Sequence, residues 1–195
     1  MPTAREGLLD ALEDLLVEEG ERAATLDAVA ARAGVSKGGL LYHFASKAAL
    51  VDGLVARMQE RAELDVRAMR DAPDGPAAYY VRTSAEVGSA FDHTLLAAFR
   101  LAPGSDSRVT AAIQGIRSRW LELITNEVGD GDLALAILLM GDGLYYSASL
   151  ALDSPGSEHH GTSTQAPADA QAPDLSDIDS LLRVVSRMRG GSGRV

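Results

Sequence analysis

The stretch from Thr25 to Lys47 reads TLDAVAARAGVSKGGLLYHFASK and holds two short helices about a tight turn. Apolar residues recur in it at helical spacing. Thr25 is placed to cap a short helix that carries Leu26, Val29, Ala30 and Ala33 inward. Gly34 ends that helix, because glycine takes the left-handed backbone that reverses a chain within a few residues. Ser36 caps a third helix through Phe44, and Ser46 a fourth from Lys47 to about Asp71. Two short helices about the turn Gly34-Val35-Ser36 are the helix-turn-helix plan, whose second helix fits a DNA major groove. Val29, Ala30, Val35, Leu40 and Phe44 are expected to bury against a preceding helix, leaving Lys37, Tyr42 and His43 outward.

That preceding helix is visible upstream. Leu8, Leu9, Leu12, Leu15 and Leu16 form one stripe, acidic residues cover the other side, and Gly20 supplies the stop. Downstream, Ala72-Pro73-Asp74-Gly75-Pro76 breaks the pattern. Further helices are expected at about 76–89, 92–101, 106–128, 131–152 and 175–189. No period-two strand stands out. The fold class is all-α: a helix-turn-helix bundle over residues 1–53, then a larger helical domain over 54–195. Residues 153–173, rich in Ser, Thr, Gly, Ala and Pro, are expected to form a mobile loop. The tail from Gly190 to Gly193 is expected to fray.

The chain has 195 residues, 18 basic and 28 acidic side chains and a formal charge of -10. Its composition is that of a globular protein able to bury a core without disulfides. Cysteine is absent, which excludes a disulfide framework, a thiol nucleophile and a zinc ribbon. The negative balance excludes a protein that coats nucleic acid by bulk positive charge. The acids, however, are unevenly placed. None occurs from Ala28 to Val51, whereas Glu6, Asp10, Glu13, Asp14, Glu18, Glu19 and Glu21 crowd the residues before that window. Phosphates repel carboxylates, so these acids are expected to face away from DNA.

With those residues in view, the stretch resembles the DNA-binding signature of the tetracycline-repressor (TetR) family of bacterial transcription regulators. The matching residues are Thr25, Val29, Ala30, Ala33, Gly34, Val35, Ser36, Gly38, Leu40, Tyr42, Phe44, Lys47 and Leu50, without gaps, within about the first 55 residues. The resemblance implies that Ser36, Lys37, Gly38 and Gly39 open the recognition helix, and that Tyr42 and His43 contact backbone and bases. It implies phosphate contacts from Thr25 and Lys47, in keeping with the free N–H groups of a helix start and the point charge of a lysine. Gly39 stands where family members often carry threonine or serine, and Leu41 where many carry tyrosine. Direct readout then rests mainly on Lys37, with guanine O6 and N7 as its target. The resemblance further implies a cytoplasmic homodimer on a double-stranded, palindromic operator, released by a small-molecule effector, with no cofactor and no enzymatic activity.

The remaining chain is less specific. Leu133 to Leu152 is apolar except for Asp142 among small residues; with an aspartate at its centre it reads as a buried helix, inside the subunit or against a partner, and not as a membrane span. Ala134, Ala136, Ser147, Ala148 and Ala151 permit close helix approach. With Leu175, Ile178, Leu181, Leu182 and Val185 of the last helix, they suit a four-helix interface between two copies. An effector pocket is expected to be apolar with a few polar groups. Its candidate lining residues are Tyr80, Phe91, His93, Phe99, Trp120 and Tyr145, with Asp142 as an anchor, an interface hydrogen-bonder or a solvent-facing group. The opening of the chain does not read as a targeting segment, since Asp10, Glu13 and Asp14 interrupt its apolar residues. Glu158-His159-His160 has no second ligand cluster, so no metal is expected, and no catalytic constellation stands out. The alternative is a helical ligand-binding protein or enzyme whose N-terminal bundle is merely structural.

Overall fold

The computed structural model describes residues 3–86, 88–101, 107–152 and 178–191. Their regular elements are all helices: α1 (Ala4–Glu18), α2 (Leu26–Arg32), α3 (Lys37–His43), α4 (Lys47–Arg70), α5 (Pro76–Ala85), α6 (Ala90–Leu101), α7 (Ser107–Val128), α8 (Gly131–Leu152) and α9 (Ile178–Gly191). The loop expected at 153–173, the part of the tail from 192 that is expected to fray, and Leu175 lie outside the described residues. So does the candidate cluster Glu158-His159-His160.

The described residues fall into two compact units. One holds α1, α2, α3, α4 to Arg67, α6 and α7 to Arg119. The other holds the end of α4, α5, the rest of α7, α8 and α9. This partition differs from a cut at residue 53, because α6 and much of α4 and α7 belong with the N-terminal helices. The physical reason is a buried ionic cluster. Glu13 of α1 takes Arg57 Nη1 at 3.2 Å and Arg61 Nη1 at 3.3 Å, and the Thr94 hydroxyl of α6 donates to it at 2.9 Å. Arg57 also donates to Asp10 at 2.5 Å and to the Glu6 carbonyl at 3.0 Å. Arg61 reaches the Ala90 carbonyl at 2.7 Å. A buried charge persists only when it is paired and hydrogen-bonded.

The leucine stripe of α1 is the core of the first unit. Leu8, Leu9, Leu12, Leu15 and Leu16 are buried with Val29, Ala30, Leu40, Phe44, Leu50, Leu54 and Met58. Gly20 (φ 82°) stops α1, and Gly34 (φ 69°) makes the α2–α3 turn, each in the left-handed region. In the second unit, α5 packs on α8 and α9. Gly141 of α8 makes the close approach: a Cβ there would fall 2.3 Å from Tyr80 Cε1 and 2.8 Å from Ser84 Oγ. Helix α5 begins at Pro76, whose missing N–H costs nothing at a first helical position. Its next N–H, from Ala77, donates to Glu127 Oε2 at 2.6 Å, so α7 caps α5. Helix α5 stops at Ala85, short of the 89 expected from the periodicity, and α6 begins at Ala90, where Ser89 and Asp92 exchange a reciprocal pair of hydrogen bonds.

Within one chain, α8 is not buried on most sides. Leu135, Leu139 and Tyr146 are exposed, while Leu133, Ala134, Ile137, Leu138 and Leu144 are buried. No helix among the described residues is long and apolar enough to cross a membrane.

Candidate functional site

The local chemistry of α2 and α3 builds the surface. Thr25 Oγ1 accepts from the Ala28 N–H at 3.2 Å, and Ser36 Oγ from the Gly39 N–H at 3.1 Å. Each hydroxyl satisfies a helix-start donor and sets where its helix begins. Ser46 does the same for α4 through Ala49 at 3.1 Å. Val29, Ala30, Leu40 and Phe44 then point inward, and Val35 at the turn is half-buried.

What remains outward is the opposite face of α3. Tyr42 is 86% exposed, and its ring meets that of His43 edge-on at 5.2 Å between centroids. Leu41 is also exposed, at 39%. Gly38 is exposed and Gly39 half-buried. Their bare backbone allows another surface to come close. Lys47 opens α4 and donates to the Glu21 carbonyl at 3.4 Å. The structure thus brings Ser36, Lys37, Gly38, Gly39, Tyr42 and His43 together on α3 and its cap, with Thr25 and Lys47 at the starts of the helices on either side.

The charges are less open than an acid-free window suggests. Lys37 Nζ lies 2.9 Å from Asp27 Oδ2, one residue outside that window. Arg32 is clamped by Glu18 at 2.9 Å and Glu19 at 3.1 Å. The Glu18 hydrogen bond is the main reason its guanidinium pKa is raised. Three acids expected to face away from DNA, or ignored, therefore hold the cations of α2 and α3. Pairs so exposed are worth little, so they exchange readily.

One cation escaped the sequence reading. The guanidinium of Arg5, at the start of α1, stacks over the Phe44 ring at 5.0 Å from its centroid, next to the end of α3. No spacing rule links residues 5 and 44, but an arginine among acids ahead of a helix-turn-helix was a usable signal.

The effector candidates divide between the units. Tyr80 and Trp120 meet in the second, with ring centroids 5.4 Å apart, and both are buried. The Tyr80 hydroxyl donates to Asp142 Oδ1 at 3.0 Å, so Asp142 is a half-buried hydrogen-bond acceptor and does not simply face solvent. Tyr145 is half-buried on α8. Phe91, His93 and Phe99 belong to α6 in the first unit. There His93 Nε2 lies 3.0 Å from Asp14 Oδ1, and Phe99 is 39% exposed. Among the described residues, no group of His, Asp and Glu is arranged to hold a metal ion.

Two family models match this chain. One, described as bacterial regulatory proteins of the tetR family, covers residues 8–54; the other, a tetracyclin repressor-like C-terminal domain, covers residues 74–165. The chain is similar to the HTH-type transcriptional regulator SrpR of Pseudomonas putida, with 36% identity over 61 residues. That stretch is 31% of this chain and spans only 29% of the relative's length. Among solved structures it is similar to a TetR-family member from Streptomyces coelicolor A3, with a TM-score of 0.60 and 21% identity over 96% of this chain and 98% of that one. It is also similar to the multidrug binding protein EbrR complexed with imidazole, with a TM-score of 0.54 and 20% identity over 96% of each chain. At such identities the structural likeness is one of fold.

Proposed function

We propose, from the premise that the chain belongs to the TetR family of bacterial regulatory proteins and is a DNA-binding transcriptional regulator, that it is a cytoplasmic homodimeric repressor released from a palindromic operator by a small molecule. The observation that carries the reading is α3. A seven-residue helix packs Leu40 into a leucine core and leaves Lys37, Tyr42 and His43 on the outside. A merely structural bundle gives no reason for a tyrosine that is 86% exposed. Lys37 reads base edges, Tyr42 and His43 reach backbone and bases, and Gly38 and Gly39 admit the duplex. Thr25, Ser36 and Lys47 hold phosphates.

The exposed Leu135, Leu139 and Tyr146 of α8 support the homodimer, since an apolar stripe of this kind invites a second copy. Two copies reading successive major grooves need their α3 helices about 34–36 Å apart. The effector is an apolar small molecule that meets Tyr80 and Trp120, together with Tyr145 of α8 and with Asp142 as the polar anchor. EbrR, a multidrug binding protein of the same fold, lends support to a small-molecule site. Phe91, His93 and Phe99, on α6 with the DNA-binding helices, are the weaker members of the expected set. To switch, the effector must bind one conformer more tightly than the other.

The test is selection of a duplex from a random library by the full-length protein, followed by fluorescence anisotropy. Lys37→Ala and Tyr42→Ala are expected to weaken binding to the selected duplex by about 5–150-fold without unfolding. Unchanged affinity in both would overturn the contact assignment. A small-molecule screen for release of that duplex tests the repressor-and-effector reading.

A further inference from the structure

Asp27 sits in the first turn of α2, one residue before a stretch of sequence, Ala28 to Val51, that carries no acid. Its carboxylate holds Lys37 Nζ at 2.9 Å, with side-chain exposures of 55% for the lysine and 70% for the aspartate. A pair so exposed contributes little to folding. The other cation of the pair of helices, Arg32, is held by Glu18 and Glu19 at the end of α1, and so by acids that precede the helix-turn-helix. Asp27 alone places its charge on the residue that opens α3.

A carboxylate in that place has opposite effects on two kinds of duplex. On unmatched DNA, Lys37 can only trade one anion for another, a phosphate for Asp27. The released carboxylate then stands close to the polyanion, which repels it. On a matched site, the ammonium has three N–H donors, so it keeps Asp27 on one and directs the others to base acceptors, and the pair is not lost. We propose that Asp27 is a specificity-determining residue: by pairing with Lys37 it suppresses binding to unmatched DNA, so that Lys37 discriminates bases where a bare lysine would mainly add charge. The proposal rests on the reading of α3 as the recognition helix.

The experiment uses the full-length protein, a duplex that it selects from a random library, and a scrambled duplex of the same length and composition. Anisotropy titrations are run over a salt series. Asp27→Asn is expected to tighten binding to the scrambled duplex about three- to fivefold and to change the selected duplex by less than twofold. Its salt dependence on scrambled DNA should steepen, as one more cation becomes available to phosphates. In a Lys37→Ala background the same substitution should only relieve the repulsion of Asp27 by phosphates, a smaller gain that is equal on both duplexes. Glu60→Gln, an equal charge change at an exposed α4 residue, should leave both duplexes unchanged. Asp27→Ser, which keeps an oxygen in the first turn of α2, replaces Asp27→Asn if the latter alters the circular dichroism. Equal tightening on both duplexes, no change on either, the same gain from Glu60→Gln, or an undiminished gain on scrambled DNA in the Lys37→Ala background would each overturn the proposal while leaving the DNA-binding reading intact. Failure of the native protein to select any duplex would overturn both.

Discussion

The hydroxyl of Thr94 on α6 donates to the carboxylate of Glu13 on α1 at 2.9 Å, with both side chains buried. The same carboxylate holds Arg57 and Arg61 of α4. Helix α6 is thereby fastened to the helices that carry α2 and α3. Glu13→Ala takes the buried carboxylate from both arginines and leaves Arg57 with the exposed Asp10, and is expected to cost about 3 kcal/mol, the low end for a broken buried pair. Thr94→Val removes a hydroxyl that donates to Glu13 and accepts from Arg61, and is expected to cost about 1.5–3 kcal/mol. Urea unfolding at fixed protein concentration measures both, and a loss under 1 kcal/mol for Glu13→Ala would contradict the cluster's role.

Two glycines of α8 should respond with opposite sign. At Gly141 an added Cβ runs into the Tyr80 ring and Ser84, whereas at Gly143 it meets nothing within 4 Å. Alanine is the better helix former by about 0.8–1 kcal/mol at either position. Overpacking costs about 1–3 kcal/mol, so Gly141→Ala is expected to destabilise despite that gain. Gly143→Ala is expected to be neutral or stabilising. The Tyr80 ring lies against Trp120, so Gly141→Ala should also shift the tryptophan fluorescence.

Ser36 separates capping from recognition. Its hydroxyl caps α3 through Gly39, so Ser36→Ala is expected to lower stability by about 0.5–2 kcal/mol. Ser36→Asp keeps the cap and its stability but sets a carboxylate where phosphates are expected. Its urea midpoint should stay near the native value while affinity for the selected duplex falls. Native affinity in Ser36→Asp would remove this residue from the interface.

Acid should loosen the start of α1. The Glu6 carboxylate accepts the Thr3 N–H at 2.7 Å, and the Thr3 hydroxyl accepts the Glu6 N–H at 3.2 Å, a reciprocal cap. The backbone hydrogen bond from Thr3 is the main cause that holds the Glu6 carboxyl below its ordinary pKa. A pKa depressed by folding means stability present above the unfolded value and lost as pH falls through the folded one. Glu6→Gln keeps an acceptor but cannot titrate. Its stability should therefore fall less than that of the native protein as pH drops from neutral through the ordinary glutamate range, and a parallel pair of pH profiles would contradict the assignment.

The helices and caps were legible in the sequence because they are local. A hydroxyl three residues before the N–H it accepts, as at Thr25, Ser36 and Ser46, is fixed by chain geometry alone. The same holds for the turn at Gly34 and for the leucine stripe of α1. Helix ends were less legible: α5 stops at Ala85 although the apolar pattern runs on.

The amino-acid order by itself determined an all-helical chain, the helix-turn-helix and the residues its second helix leaves outside, since these follow from periodicity, capping and the avoidance of acids near phosphate. What those residues meet is a matter of packing between helices. Asp27 on Lys37, Glu18 and Glu19 on Arg32, Arg5 over Phe44, Glu13 with Thr94, and Tyr80 with Asp142 join residues from ten to more than eighty positions apart. The pairings are set by which helix faces pack together. That packing depends on the burial of whole apolar faces, and no local spacing rule encodes it.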